Sequence, residues 1–128
     1  FPGRTMDISK VIQDMKQAPG FTENVGMVLV HNGVVRGRPR HGQATVTGLE
    51  VTPDEETIEN LRRRYEKRPG IFRIVIKAEQ GSFQPGDDLL FIVVAGDIRE
   101  NVHPVLADLL NDIKSQAMHK TEFTASND

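Results

Sequence analysis

Apolar residues along the chain change period several times, and each change marks an element. Between Asp7 and Ala18, Ile8, Val11, Ile12 and Met15 recur at helical spacing, with Asp7 or Ser9 available as cap and Pro19-Gly20 as a stop. From Val25 to Arg36 the β-branched content is high and Met27-Val28-Leu29-Val30 is continuously apolar, which predicts a strand buried on both faces and central in its sheet. Gly37-Arg38-Pro39-Arg40-His41-Gly42 combines turn formers with basic residues and reads as a basic loop. Alternation from Ala44 to Val51 predicts a second strand, with Gly48 as a bulge where the alternation shifts.

After Pro53, Asp54-Glu55-Glu56 opens a helix and Arg62-Arg63-Arg64 with Lys67-Arg68 closes it, which matches the helix dipole at both ends. Its apolar stripe, Ile58, Leu61 and Tyr65, is narrow, so one side packs and the arginine run reads as a solvated face. Phe72, Ile74, Ile76 and Ala78 share one face of a strand, and Leu89 to Ala95 is an unbroken apolar run typical of a buried one. The turn formers between them, Gln80 to Asp87, predict that the two strands pair antiparallel. Val102, Val105, Leu106, Leu109, Leu110, Ile113 and Ala117 give the strongest helical stripe in the chain, with Pro104 near its start. This order lacks βαβ regularity and internal repeats, so the expected fold is α+β with a mainly antiparallel sheet.

Length and composition narrow the picture. The 128 residues suit one domain, expected over 6–123, with Phe1–Thr5 read as a vector-derived remnant and 124–128 as a flexible tail. A net charge of -2, from 16 basic and 18 acidic side chains, argues against a dedicated nucleic-acid module. No apolar run approaches the about 18 residues of a membrane span. Without cysteine there is no disulfide framework, thiolate metal site or Cys nucleophile, so a soluble, cytoplasmic protein is expected.

Phosphate-binding glycine loops are absent, no two histidines stand at metal-ligand spacing, and His31, His41, His103 and His119 are scattered. No metal or cofactor is expected. The remaining chemistry is cationic. Arg36, Arg38 and Arg40 lie at the mouth of a strand, Arg99 lies past the end of another, and Lys114 and Lys120 flank the end of the last helix. Arginine forks suit phosphate or carboxylate, and a lysine beside other cations can give up its proton. This set fits a small anionic substrate, although Lys114 also complements helix carbonyls without any further role.

The stretch Gly81-Ser-Phe-Gln-Pro-Gly-Asp-Asp-Leu-Leu-Phe-Ile-Val-Val-Ala-Gly-Asp-Ile-Arg99, followed by Lys114, resembles the large, catalytic subunit of molybdopterin synthase. Gly33-Val34-Val35-Arg36 is similar to that family's G-x-V-R segment, and Leu49-Glu50 to its L-x-x-E region; the resemblance spans about Gly26 to Glu122. It implies an α/β hammerhead-type domain that forms a homodimer and, with two copies of a small ubiquitin-like sulfur carrier, a heterotetramer. The carrier would bring sulfur as a thiocarboxylate on its C-terminal Gly-Gly, to convert a cyclic pyranopterin monophosphate into the dithiolene of molybdopterin. By position, Lys114 would be the principal catalytic lysine and Lys120 the second, while Arg36 and Arg99 would hold the phosphate or the carrier's carboxylate.

Several positions depart from the family pattern. Ile98 replaces the histidine usual before the arginine, and Val34 replaces a lysine. The aromatic-rich segment before the second lysine is reduced to Ala117-Met118-His119, so His119 is expected to stand in for a lost substrate-binding group. Thr52 and Glu55 occupy the stretch where Tyr and Met are usual, and the stretch after Glu122 is short. A catalytically impaired paralogue that keeps dimerisation and carrier or anion binding is therefore the alternative expectation, and an anion- or nucleic-acid-binding module the third.

Overall fold

In the computed structural model, which describes residues 7–38 and 45–125, two small antiparallel sheets share a set of helices. The order is α1 (Ile8–Lys16), α2 (Phe21–Asn24), β1 (Met27–Val34), β2 (Thr45–Pro53), α3 (Glu55–Glu66), β3 (Ile71–Ala78), β4 (Gly81–Phe83), β5 (Asp88–Gly96), α4 (Arg99–Gln116) and β6 (Met118–Ala125). The first sheet has the order β1-β5-β3 and the second β4-β2-β6, all pairs antiparallel. This is the expected α+β class.

β5, not β1, is the central strand of its sheet, and every residue from Leu89 to Gly96 is buried. The apolar run of β1 comes from cover on both faces of an edge strand. Met27 and Leu29 pack on the main core with α4 residues Val102, Val105, Leu109 and Ile113. Val28 and Val30 pack on the opposite side with Met15 of α1, Phe21 of α2, and Val93 and Ala95 of β5. The ring of Phe21 meets Phe72 edge-on at 5.8 Å. Two-sided burial is thus compatible with an edge position when helices lie above and below it.

The main core also receives Leu49 and Val51 of β2, Phe83 of β4, and the narrow α3 stripe of Ile58, Leu61 and Tyr65. Asp54 caps α3, its Oδ1 accepting from the amide of Thr57 at 3.1 Å. Arg62 does face solvent in part, but its guanidinium is held by Glu59 and Glu66, each at 2.7 Å, and Arg63 meets Glu59 at 3.1 Å. Two of the three arginines in the run are thereby neutralised along their own helix.

α4 begins at Arg99, three residues before the predicted stripe, so Pro104 lies inside the helix rather than at its start. Three elements lacked a sequence signal. α2 and β4 are only four and three residues long, and β6 exposes nearly every side chain, so no alternation announces it. β6 pairs along β2 from Pro53↔Met118 to Thr45↔Ala125, with a register shift at Val46/Gly48 where the bulge was expected. The strand runs to Ala125, past the point where the sequence predicts a tail.

Candidate functional site

The turn between β4 and β5 positions the first cations. Gln84 and Asp87 close it on each other: the Gln84 amide donates to Asp87 Oδ2 at 2.8 Å, and the Asp87 amide donates to the Gln84 carbonyl at 3.0 Å. Gly86 supplies the left-handed φ of 95° that the turn requires. The Gly86 amide donates to the Val35 carbonyl at 2.8 Å, and the Val35 amide donates to the Asp87 carbonyl at 2.9 Å. The backbone immediately before Arg36 is thus clamped by the Pro-Gly-Asp turn, and Gly37 is tied in turn by the Val46 amide at 3.0 Å.

The lysines come from the other side. Lys114 stands in the last turn of α4, where cations complement the exposed carbonyls. Ala117, buried at the helix end, leads directly into β6, and its carbonyl accepts from the Asp54 amide at 2.7 Å. That bond fixes the α4–β6 junction to the start of α3, so Lys120 enters the site on a strand held at both ends.

Arg36, Arg38, Lys114 and Lys120 all line one open cavity of about 820 Å³, together with His31, Gly33, Glu122 and an apolar floor that includes Val46, Leu49 and Leu89. Loss of surrounding solvent lowers the proton affinity of the Lys120 ammonium, the positive charge of Lys114 lowers it further, and Glu122 partly opposes both. His31 is pushed below its ordinary 6.5 by burial first and by Lys114 second. The cavity therefore gathers four cationic side chains against one carboxylate, which suits an oxyanion, and its Lys120 gives up a proton more readily than a solvated lysine.

Other expected site residues lie elsewhere. Arg99 opens α4, so fifteen residues at about 1.5 Å each put it roughly 22 Å along the helix from Lys114. Its side chain is 83% exposed and rests 3.5 Å from Glu100. Chain order alone had grouped it with Arg36; within one protomer the helix separates them. His119 alternates with Lys120 on β6 and faces the start of α3, so it does not stand in for a cavity group. There the Asp54 carboxyl is held below its usual range chiefly by the Thr57 hydrogen bonds, with a smaller contribution from His119. Arg40 and most of the basic loop lie outside the described residues.

His31 is the cavity residue that sequence reasoning passed over. Its signal was parity: His31 and Gly33 share one face of β1 with Leu29, the face that meets α4. A second cavity of about 510 Å³, between β2, β4 and Phe123, contains none of these cations. Among the described residues no group of three or more His, Asp or Glu could hold a metal ion, and no helix is long and apolar enough to cross a membrane.

Fold and site together define a small α+β domain that collects cations from a strand end, a helix end and a C-terminal strand around one cavity. The chain belongs to the family described as MoaE protein, which it matches over residues 3–116. Its fold is similar to molybdopterin synthase from Staphylococcus aureus, with a TM-score of 0.76 and 18% identity over 98% of this chain and 89% of that one. It is also similar to molybdopterin cofactor biosynthesis protein E from Burkholderia multivorans, with a TM-score of 0.70 and 18% identity over 94% and 85%. A third likeness is to a chain in a complex of subunits 1 and 2 of molybdopterin-converting factor from Helicobacter pylori, with a TM-score of 0.66 and 17% identity over 95% and 86%. No curated protein matches the sequence. Family membership supports a role in molybdenum cofactor biosynthesis.

Proposed function

We propose that this chain is the sulfur-transferring subunit of a molybdopterin synthase. The observation that carries the reading is the convergence of Arg36, Arg38, Lys114 and Lys120 on a single cavity large enough for a phosphorylated pterin. In this reading a small carrier protein inserts its C-terminal thiocarboxylate among these cations. The thiocarboxylate sulfur forms a C–S bond to a pyranopterin carbon as a C–O bond at that carbon breaks, its oxygen staying on the phosphate or leaving as water. A second water then cleaves the acyl–sulfur bond, returning the carrier as a carboxylate, and a second carrier repeats the transfer at the neighbouring carbon. Arg36 and Arg38 hold oxyanions by paired hydrogen bonds, while Lys114 and Lys120 manage charge and protons near the reacting atoms. The likeness to a subunit of the Helicobacter pylori complex supports a small protein partner.

A homodimer belongs to the same proposal. Arg99, a helix length from its own cavity, can contribute to oxyanion binding only by reaching the cavity of the neighbouring protomer. Thiocarboxylated carrier and cyclic pyranopterin monophosphate, mixed with this chain, should yield the dithiolene product, and Lys114→Ala should abolish it. Full turnover in that variant would overturn the assignment.

A second reading, a catalytically impaired member that still binds carrier or anion, is favoured by Ile98. This side chain is 51% exposed just before Arg99, where the resemblance leads one to expect histidine. It predicts carrier binding by calorimetry without product.

A further inference from the structure

The imidazole of His31 has an unusual setting. It lines the cationic cavity, yet its Nε2 is buried without a hydrogen-bond partner among the described residues. An unbonded buried nitrogen is costly and calls for an explanation. Gly33, two residues along the same strand face, also lines the cavity and has no side chain to fill the space beside Nε2; a Cβ there would stand 3.1 Å from that atom.

Among the described residues, no carboxylate of the first sheet acts on the ring. Cross-strand from His31 and Gly33 stand Ile92 and Leu90 of β5, and β2 contributes Val46 and Leu49. The charged groups that share the cavity are Lys114 from α4, Lys120 and Glu122 from β6, and Arg36 and Arg38 beyond β1. Burial and then the charge of Lys114 disfavour the protonated ring when no anion is bound.

We propose that His31 is an anion-contacting residue of this cavity, whose unpartnered Nε2 turns toward a bound oxyanion, takes up a proton and donates a hydrogen bond to it. The inference rests on the oxyanion-holding role proposed above and adds to it a residue and a proton. A bound oxyanion offsets Lys114 and supplies the missing partner, so the imidazolium is favoured in the complex and disfavoured without it. A turn about Cβ–Cγ carries Nε2 from the recess above Gly33 into the cavity. The same chemistry serves a substrate phosphate or the carboxylate end of a carrier protein.

The sign of the coupling follows from linkage. Binding takes up a proton wherever the complex holds the ring protonated and the free protein does not, so affinity falls as pH rises through that window, by up to about tenfold per unit. Below the window the ring is protonated in both states, and above it in neither, so affinity is flat at both ends.

Calorimetric titration of the full chain with sulfate and, separately, with N-acetyl-Gly-Gly tests this between about pH 5.5 and 7.5, where both probes keep their charge. Buffers of different ionisation enthalpy count the protons taken up. At least one probe is expected to bind with proton uptake and with the falling affinity described. Uptake with sulfate marks a phosphate-type contact, and uptake with the peptide marks a carrier-terminus contact. His31→Gln, which keeps a donor of similar reach, should bind at pH 7.5 within about threefold of wild type and lose the pH slope. His31→Phe should lose about tenfold at pH 5.5, as expected for a charged hydrogen bond. Folded His31→Phe and His31→Gln proteins with wild-type affinity, slope and proton uptake would overturn the role of His31 and leave the cavity reading standing. Failure of the wild type to bind either probe would overturn both.

Discussion

The Gly86 amide donates to the Val35 carbonyl at 2.8 Å, so a turn remote in sequence holds the residue immediately before Arg36. Gly86 has φ 95° and open space around the position of a Cβ, which makes the backbone, not crowding, the obstacle to substitution. Gly86→Ala should cost about 1–2 kcal/mol and lower Tm by roughly 3–8 °C. Because Arg36 loses its anchor, sulfate binding should weaken with it. A lowered Tm with unchanged affinity would show that the turn stabilises the fold without positioning the arginine.

Lys120 should respond in opposite directions to its two charged neighbours. Lys114→Ala removes a like charge and raises the proton affinity of Lys120; Glu122→Gln removes an opposing charge and lowers it further. NMR titration of the lysine Nζ groups reads both shifts, and equal titration curves in the two variants would refute the coupling. The same asymmetry affects stability. A lysine whose folded-state proton affinity is depressed binds fewer protons folded than unfolded, so it penalises folding at neutral pH, and the penalty fades as pH rises toward 10.5. Lys120→Met should therefore raise Tm slightly at pH 7, by less than about 1 kcal/mol of stability given the solvent around this side chain, while removing activity. The gain should vanish in strongly alkaline solution.

Acid sensitivity has a different origin, on α3. Glu59 is held at about 2 by hydrogen bonds from Arg62 and Arg63 and by their charge, against an ordinary 4.5. Its contribution to stability is present above about 4.5 and is lost as pH falls through about 2. Glu59→Gln should lower Tm at pH 7, and the gap to wild type should close as pH falls. Glu66, by contrast, accepts from both Arg62 at 2.7 Å and the Ile74 amide at 2.9 Å. Glu66→Gln should keep an acceptor for Ile74 but lose the charge on Arg62, so its loss of Tm should be smaller than that of Glu66→Ala, which frees both.

What the sequence revealed of this architecture follows which interactions leave a periodic trace. The α4 stripe, the paired β3 and β5 and the bulge at Gly48 all depend on apolar side chains meeting a core, and each was legible. β6 is held by backbone pairing to β2 with its side chains in solvent, so it left no pattern. Arg36, Arg38, Lys114 and Lys120 were legible because they sit at element ends, where short spacings survive folding. Arg99 and His119 misled for opposite reasons: the length of α4 carries one away from Lys114, and strand alternation turns the other from its neighbour Lys120. His31 was legible only through its strand parity with Leu29 and Gly33, because an isolated histidine in an apolar strand forms no motif.

The separation of Arg99 from Lys114 along α4 gives the dimer proposal a decisive test. If Arg99 serves the neighbouring protomer's cavity, Lys114→Ala and Arg99→Ala impair the same composite site from different chains. A mixed dimer then holds one site with both residues intact and one with neither. If Arg99 acted within its own chain, every site in the mixed dimer would lack one group. Co-refolding the two variants in equal amounts should therefore restore activity to about a quarter of wild type, since half the dimers are mixed and each has one competent site. Each variant refolded alone should stay at its own low level. Mixtures no more active than the average of the two variants, with subunit exchange verified by differentially tagged chains, would place the function of Arg99 outside the transfer site.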